Sequence, residues 1–320
     1  MNLSIIEEDL KAVDESFQEY LSSRVPLISK IGTHILKSGG KRIRPAILIL
    51  SSRLNGYQGE RAIRMASIIE FIHTATLLHD DVVDNADIRR GNPAANTLWG
   101  SEASVLVGDF LFSKSFFLMV EDGHLKILRI LAEATTELAE GEILELVKTG
   151  DLRITVDEYM SLITSKTAVL ISAASRIGAV LGNADEEAEK AMLEYGLHVG
   201  IAFQLVDDCL DYTSTNESLG KTIGTDLREG KVTLPLILAM ARASEKERKR
   251  VQEIVLSDTI AQSDFNDVQQ IIQNYKGVED TLTLAKNHIT LAKEQLRLFP
   301  KKIERDTLAT LADYIVQRDR

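Results

Sequence analysis

Residues 62–84, AIRMASIIEFIHTATLLHDDVVD, decide the fold class of this chain. Apolar residues such as Ile68, Ile72 and Ala75 recur at helical spacing and do not alternate, which predicts a long buried helix. The helix ends in the acidic pentad Asp80-Asp81-Val82-Val83-Asp84. Because carboxylates in an apolar context are costly unless they are compensated, we expect a cation beside them.

A second pentad with the same spacing, Asp207-Asp208-Cys209-Leu210-Asp211, lies in another apolar stretch. Residues four apart in a helix lie about one turn above each other, so each pentad places its first and last carboxylates on one face. Hard oxygen ligands in a row suit Mg²⁺. We therefore predict two metal-binding walls across one cleft, with the ligands Asp80, Asp81, Asp84, Asp207, Asp208 and Asp211.

The whole chain has the composition of an all-α protein. Its 320 residues are 44% hydrophobic, only five are proline, and no linker or low-complexity stretch divides them. We expect a single all-α domain over residues 1–320, a helical bundle with a central substrate cavity. Besides the helix at 62–84, helices are predicted over 28–37, 105–120, 125–147, 156–181, 186–212 and 234–243.

Charge and composition also limit the kinds of partner and the compartment that we expect for this protein. The net charge of −11 argues against nucleic acid, because a basic footprint is missing. The acidic N-terminus does not have the pattern of a secretory signal, and no apolar run approaches the roughly 18 residues that span a bilayer. Cys209 is the only cysteine, which fits a reducing compartment. We expect a cytoplasmic protein with no nucleic-acid partner and no transmembrane segment.

Polar stripes on the predicted buried helices indicate a cavity. On a helical wheel, His73 and Thr76 fall on the side of the first pentad, and Gln204 falls on the side of the second. The polar, glycine-punctuated connection between Thr213 and Pro235 carries Lys221 and Lys231. We predict a lid that closes over bound anions there, and a surface loop without function is the alternative.

Seven motifs occur in order along the chain. They are GGKRIRP (39–45), EFIHTATLLHDDVVD (70–84), RRG (89–91), GDFLF (108–112), SKTAVL (165–170), FQLVDDCLDY (203–212) and GKTIGTDLREGKVTLP (220–235). With these motifs the chain resembles the trans-isoprenyl diphosphate synthases, specifically the long-chain polyprenyl diphosphate synthases of the octaprenyl and heptaprenyl type. The resemblance implies an all-α isoprenoid-synthase fold and a homodimer. It also implies head-to-tail condensation of isopentenyl diphosphate onto an allylic diphosphate with two or three Mg²⁺ ions.

The resemblance implies roles for single residues as well. Isopentenyl diphosphate is held by Lys41, Arg44, His73 and Arg90, and the allylic diphosphate by Arg89, Lys166 and Lys231, with Lys221 as a further substrate-binding residue. Thr167, Gln204 and the carbonyl of Lys166 steady the allylic cation, and Asp80, Asp84 and Asp207 hold the metal ions that help diphosphate to leave. Guanidinium forks match phosphate oxygens, and lysine adds a mobile point charge. Arg42, in the same motif as Lys41 and Arg44, is given no ligand role, and a solvent-facing side chain is the alternative for it.

Product length depends on an apolar tunnel below the first pentad. Ala75 lies five residues before Asp80, about 7.5 Å along the helix axis, and Thr76 beside it is also small. In the resembled family, bulky aromatic residues here limit the product to a short chain. Their absence predicts a long all-trans product. The resemblance implies a tunnel floor near Met119 and Leu131, where the long-chain relatives have it.

Three other functions stay open from the residues alone. A class I terpene cyclase ionises the same substrates, but its second metal site has an Asn/Ser/Glu pattern and it does not need GGKRIRP. A catalytically silent subunit that binds prenyl diphosphates or regulates an active relative is disfavoured by the intact Asp84, Asp211, Arg89 and Arg90. A di-iron carboxylate protein is weaker still, because no pair of Glu-x-x-His motifs occurs.

Overall fold

The computed structural model of the protein describes residues 3–213, 224–257 and 259–318. Helices dominate these residues, which confirms the all-α prediction. The strands in the described part of the chain are the two-residue β1 (Ile88–Arg89) and β2 (Asn92–Pro93), which pair antiparallel. They form a small hairpin within the segment 85–100, directly after the first pentad.

The described residues form two compact units. Unit 1 lies within Met1–Thr136, Leu170–Gly196 and Lys293–Leu311, and unit 2 lies within Glu137–Val169, Leu197–Ala292 and Ala312–Arg320. The single domain expected over 1–320 stays a prediction, and each unit is described by itself below.

Unit 1 contains the helices of the N-terminal part of the chain. They are α1 (Glu7–Tyr20), α2 (Pro26–Lys37), α3 (Ile43–Leu54), α4 (Arg61–Val83), α5 (Ala95–Trp99) and α6 (Ser101–Asp122). Unit 2 contains α8 (Val156–Ile163), α11 (Thr225–Arg228), α12 (Leu234–Arg242), α13 (Glu245–Val255) and α14 (Gln262–Asn274). Five helices have residues in both units: α7 (Leu125–Lys148), α9 (Val169–Leu181), α10 (Glu186–Thr213), α15 (Gly277–Gln295) and α16 (Ile303–Gln317).

The central helix of unit 1 is α4, which packs against α1, α3 and α6. Apolar residues surround it on nearly all sides, as expected of a helix inside a core. The rings of Phe17 and Phe71 lie 4.4 Å apart between centroids, in a cluster that also contains Leu78 and Leu111. Burying each such side chain contributes about 1.5–3 kcal/mol. This packing fixes the C-terminal end of α4, where the first pentad lies.

Helix ends in the GGKRIRP segment follow local chemistry. Helix α2 has Pro26 as its first residue, where the missing N–H costs nothing, and it ends before Gly39, whose φ is +85°. Helix α3 begins at Ile43, so Pro45 is its third residue. Pro45 fits there because the first turn of a helix has no partner for its N–H groups.

Helix α6 is long and apolar enough to cross a membrane by length and composition alone. Its Val107 and Leu111 side chains, however, lie in the core cluster of unit 1. Asp109 and Lys114 also interrupt its apolar sequence. We therefore assign α6 as a core helix. Its other side exposes Leu106, Phe117 and Val120.

Unit 2 contains a pair of half-buried histidines. His198 on α10 and His288 on α15 lie with their Nδ1 atoms 3.0 Å apart, so one ring donates to the other. Burial, followed by the charge of His198, lowers the pKa of His288 to about 4. A second proton on the pair would set two N–H groups against each other, so the fold favours the neutral form.

The histidine pair predicts an acid-sensitive stability. The pKa of His288 is lower in the folded protein than the usual 6.5, so the unfolded chain takes up the proton first. Its contribution to stability is complete above about pH 6.5 and is lost as the pH falls towards 4, and solvent around the partly exposed ring reduces the size of this contribution. We expect His288→Asn to flatten the free energy of unfolding between pH 6.5 and 4, measured by urea denaturation. His124→Asn is the control, and an unchanged pH slope in His288→Asn contradicts the assignment.

Candidate functional site

Unit 1 gathers arginines around His73, in the middle of α4. Burial comes first among the causes that hold the pKa of His73 well below its usual value, and the charges of Arg44, Arg90, Arg89 and Arg42 follow in that order. The imidazole is therefore neutral near pH 7 in a strongly cationic surrounding. Three of the four residues predicted for isopentenyl diphosphate, His73, Arg44 and Arg90, thus influence one another within unit 1. The fourth, Lys41, lies three residues before Arg44 on the same segment.

Left-handed backbone marks both segments that carry these arginines. Arg42 has a φ of +50° and Arg90 has a φ of +52°, a conformation uncommon for residues other than glycine. The guanidinium of Arg90 donates to the carbonyl of Gly39, which ties the RRG turn to the GGKRIRP segment. Strained residues that the surrounding structure holds in place occur often at binding sites. Two such residues in one cationic cluster make it a candidate anion site.

Arg42 itself has a structural role, and the solvent-facing alternative for it is wrong. Its side chain is only 17% exposed and contacts the carboxylates of Glu70 at 2.7 Å and Asp14 at 3.0 Å. Both partners belong to unit 1, so Arg42 links the start of α3 to α4 and α1. Arg42 thereby positions the segment that carries Arg44.

The first pentad divides into a buried carboxylate and two accessible ones. Asp81 is buried, and its Oδ1 accepts a hydrogen bond from Arg89 Nε at 2.7 Å. Asp80 and Asp84 are half-buried one turn apart, and the backbone N–H of Asp84 donates to the Asp80 carbonyl at 2.8 Å. Asp81 was predicted as a metal ligand and Arg89 as a diphosphate ligand; the structure pairs them, and both roles stay predictions.

The second pentad uses two of its carboxylates inside unit 2. Asp208 is buried, and it accepts hydrogen bonds from the Tyr159 hydroxyl and from Gln204 Nε2, the latter at 2.7 Å. Burial first, and then the nearby Asp226 carboxylate, raises the pKa of Asp208 well above its usual value. Asp211 accepts the backbone N–H groups of Thr225 at 3.2 Å and Asp226 at 3.1 Å, so it caps α11.

Asp207, the first residue of this pentad, is half-exposed and forms an ion pair at the end of the described chain. Its Oδ1 lies 2.7 Å from Nη2 of Arg318, whose side chain is only 3% exposed. The guanidinium also covers the ring of Phe203 at 3.9 Å and donates to the Phe203 carbonyl at 2.7 Å. Arg318 therefore fixes one oxygen of Asp207, whose side chain is still 40% exposed.

A π-helical turn, Thr164–Ala168, separates α8 from α9. The continuous helix predicted over 156–181 is therefore wrong at this point. Glycines on neighbouring helices allow close approach to the turn: a Cβ at Gly141 would lie 2.9 Å from Lys166 N, and one at Gly200 would lie 2.5 Å from Ala168 Cα. Such turns occur frequently at functional sites. This one carries two predicted site residues, Lys166 and Thr167.

A hydrogen-bonded chain leads from the π-turn to the second pentad. Thr167 Oγ1 donates to Gln204 Oε1 at 2.8 Å, and the amide of Gln204 donates to Asp208 as described. These donations fix the orientation of the amide and leave the lone pairs of the Thr167 oxygen available. Thr167, Gln204 and Asp208 line a cavity of about 110 Å³, together with Lys166 and Lys231. The structure thus brings five predicted site residues to one cavity of unit 2. Four of them were predicted to bind the substrate, and Asp208 was predicted as a metal ligand.

The two lysines of this cavity contact glutamates. Lys166 Nζ lies 2.8 Å from Glu142 and also contacts Glu145. Lys231 Nζ lies 2.7 Å from Glu229 and 3.7 Å from Glu145. Lys221 and the part of the predicted lid at 214–223 lie outside the described residues. The lid itself stays a prediction.

The chemistry of the acidic residues fits a hard divalent cation. All candidate donors are carboxylate oxygens, and Asp80, Asp84 and Asp207 keep partly accessible side chains. Within the part of the chain that the structure describes, no three acidic, histidine or cysteine side chains already form a metal cage. That arrangement suits Mg²⁺, which retains waters and binds through one or two carboxylates plus substrate phosphates.

The residues predicted to set product length lie in unit 1. Ala75 is fully buried in the core cluster with Phe71 and Leu78, and Thr76 is half-buried, its hydroxyl donating to the His73 carbonyl at 2.9 Å. Met119 on α6 and Leu131 on α7 are buried as well. All four side chains are apolar or small. Their role in setting product length stays a prediction.

Several residues of this site escaped the sequence prediction. Tyr159, Glu142, Glu145, Asp226 and Arg318 contact or influence the predicted ligands only through the fold. Glu142 and Glu145 were detectable in principle, because they lie three apart on the predicted helix over 125–147. Arg318 carried no local signal.

Comparisons with known proteins agree over the whole chain. The sequence model of the polyprenyl synthetase family matches residues 25–273. Octaprenyl diphosphate synthase from Escherichia coli (strain K12) is 42% identical over 324 aligned residues, which cover 100% of both chains. A solved polyprenyl synthase from Caulobacter crescentus CB15, complexed with calcium and isoprenyl diphosphate, is 42% identical with a TM-score of 0.96, over 99% of this chain and 97% of that one. A solved decaprenyl diphosphate synthase from Rhodobacter capsulatus is 41% identical with a TM-score of 0.94, and the match covers 99% of this chain and 98% of that one.

The contact of Gly141 with the π-turn predicts a sensitive position. In Gly141→Ala the added methyl would meet the backbone of Lys166, so either α7 or the turn must shift. We expect a loss of about 1–3 kcal/mol in the free energy of unfolding, with weaker binding of inorganic pyrophosphate. Gly59→Ala is the control, because its methyl meets only the end of the Tyr57 side chain. Full stability and unchanged binding in Gly141→Ala would show that the contact does not matter.

Proposed function

The chain belongs to the polyprenyl synthetase family, and from that premise we propose how its two units divide the reaction. It is a prenyltransferase of isoprenoid biosynthesis that condenses isopentenyl diphosphate with an allylic diphosphate into a long-chain all-trans polyprenyl diphosphate. The observation that carries the division of roles is the distribution of cations. Arginines gather around His73 in unit 1, and two lysines lie beside the Thr167–Gln204 pair in unit 2.

Unit 1 holds isopentenyl diphosphate in this proposal. Lys41, Arg44 and Arg90 supply positive charge, and His73 acts as a neutral hydrogen-bonding partner because its pKa is lowered. Guanidinium groups bind diphosphate oxygens in pairs, which also orients the substrate. Arg42 and its partners hold the segment in place, so the site is organised before the substrate arrives.

In this proposal Lys166 and Lys231 of unit 2 hold the allylic diphosphate, and Arg89 and Lys221 are further candidate ligands. The residues that would hold two or three Mg²⁺ ions are Asp80 and Asp84 of the first pentad and Asp207 of the second, and Asp81, Asp208 and Asp211 are the other candidate ligands. Bound Mg²⁺ would neutralise the charge that develops on the departing diphosphate. Lys166 and Lys231 stabilise the same charge as fixed electrostatic partners.

The Thr167–Gln204 pair steadies the allylic cation. The Thr167 proton is donated to Gln204, so the oxygen of Thr167 turns its lone pairs to the cavity. Oxygen dipoles that are fixed in advance stabilise a cation without reorganising during the reaction. Isopentenyl diphosphate then attacks with its double bond, and the proton that it loses passes to the released diphosphate.

We also propose a homodimer in the cytoplasm. Helix α6 exposes Leu106, Phe117 and Val120, three large apolar side chains on a helix whose other side is in the core of unit 1. An apolar face of this kind favours association with a second copy. The net charge of −11 fits a protein that does not bind nucleic acid.

A primer assay tests the function. Purified protein is incubated with Mg²⁺, radiolabelled isopentenyl diphosphate and a series of allylic diphosphates, and the products are sized by chromatography. We expect long all-trans chains, a loss of at least about a hundredfold in turnover for Asp84→Asn, and no activity after chelation of Mg²⁺. Asp185→Asn, at the start of α10, is the matched control. Failure to elongate any primer would favour a silent subunit, and cyclised products would favour a terpene cyclase.

Ala75 gives a separate test of product length. In Ala75→Phe, an aromatic ring would fill apolar space five residues before Asp80, so we expect shorter products at similar consumption of isopentenyl diphosphate. Ala75→Ser keeps the volume and serves as the control, and Ala75→Leu is the intermediate variant if the phenylalanine unfolds the core. A folded Ala75→Phe enzyme with products of unchanged length would contradict the tunnel assignment.

A further inference from the structure

Glu145 stands out in unit 2 because it contacts both lysines of the cavity. Its carboxylate touches Lys166 Nζ and lies 3.7 Å from Lys231 Nζ. The neighbouring carboxylates divide between the lysines, since Glu142 contacts Lys166 at 2.8 Å and Glu229 contacts Lys231 at 2.7 Å. Glu145 thus occupies a bridging position that a single anion with several oxygens would also occupy.

The low exposure of these side chains explains why the two lysines are paired with carboxylates. The side chains of Lys166, Lys231 and Glu145 are only 20%, 16% and 18% exposed. Ammonium groups that are largely withdrawn from water require compensation by an opposite charge. Two of them at one cavity would also repel each other. A carboxylate shared between them removes both costs and keeps the lysines at the cavity.

We propose that Glu145 is an internal substitute for diphosphate. It holds Lys166 and Lys231 while the cavity contains no anion, and it yields them when a diphosphate binds. The inference rests on the proposed function, in which these lysines hold the allylic diphosphate. It makes Glu145 a positioning residue that weakens the binding of diphosphate and speeds its release.

Repeated elongation gives this exchange a purpose. Each condensation leaves a pyrophosphate that must depart before the lengthened allylic diphosphate can occupy the cavity. Without Glu145, departure of the pyrophosphate would leave Lys166 with Glu142 and Lys231 with Glu229 but would remove the anion that the two lysines share, so release would be slower. Glu145 provides the replacement at the moment of release, at the cost of competing with the substrate.

Binding of inorganic pyrophosphate tests the proposal directly. Isothermal titration at a fixed Mg²⁺ concentration compares the full-length protein with Glu145→Gln, which keeps the size and removes the charge. We expect Glu145→Gln to bind pyrophosphate about 5- to 20-fold more tightly, and Glu142→Gln or Glu229→Gln to bind it with smaller gains, since each contacts one lysine. Glu253→Gln, an exposed position on α13, makes the same change in net charge and should stay within about twofold of the unchanged protein.

Steady-state kinetics separates positioning from simple loss of structure. We expect Glu145→Gln to lower the KM for the allylic substrate and the inhibition constant of pyrophosphate, and to lower kcat for multiple turnovers. A merely destabilised protein would lose kcat without gaining affinity. Glu145→Asp keeps the charge on a shorter side chain, so it should lie between the unchanged protein and Glu145→Gln, and it serves if Glu145→Gln does not fold.

The outcomes distinguish this inference from the function on which it rests. If the unchanged protein elongates primers and binds pyrophosphate, but Glu145→Gln binds it equally or more weakly, the role of Glu145 is overturned and the function stands. If the unchanged protein neither binds pyrophosphate nor elongates any primer, the proposed function fails and the inference fails with it.

Discussion

The compensation of charge that has been withdrawn from water governs both units of this protein. A buried ammonium, guanidinium or carboxylate is tolerated only with an opposite partner or a hydrogen bond. Unit 1 satisfies this with Arg89 on Asp81 and Arg42 on Glu70, and unit 2 with Arg318 on Asp207. Residues that are expected to meet a ligand are therefore already ordered. A diphosphate or a metal ion has to replace a partner at such a residue, which makes binding an exchange of charges.

Backbone geometry supplies the second part of that order. The π-turn presents Lys166 and Thr167, and left-handed residues shape the turns that carry Arg42 and Arg90. Each irregularity is held by close contacts, such as the approach of Gly141 to the π-turn. Side chains on such supports lose little further freedom when a substrate binds, so more of the binding energy remains for orienting the reactants.

Sequence patterns predicted the regular part of this fold well. Helical periodicity located α2, α4, α7 and α10, because their apolar stripes are long and bounded by glycine, proline or acidic caps. Periodicity also placed Gln204 on the polar side of its helix, whereas Lys166 and Thr167 were predicted from the resemblance to the family; all three line the cavity of unit 2. The roles of these residues came from the order of the motifs and not from periodicity.

The remaining features depend on contacts between residues far apart in the chain. The π-turn lies where Gly141 and Gly200 let the neighbouring helices come close, and the sequence SKTAVL contains no local signal that predicts such a turn. The partners of Asp81, Asp207 and Asp208 were also hidden, because a local pattern shows that a carboxylate needs compensation but not which side chain provides it. The solvent-facing alternative for Arg42 was wrong for the same reason, because its partners Asp14 and Glu70 lie on other helices.

The π-turn also has an evolutionary consequence. One added residue is enough to convert a regular helical turn into this form, and the deletion of one codon would close it again. Closure would rotate the side chains on one side of the deletion by about 100° relative to the other. A deletion just before Lys166 would then turn Lys166 and Thr167 together, by that angle, relative to α8 in a single step. An insertion or deletion in the π-turn would thus change the positions of both side chains at once. Substitutions can change the cation of Lys166 and the hydroxyl of Thr167 separately.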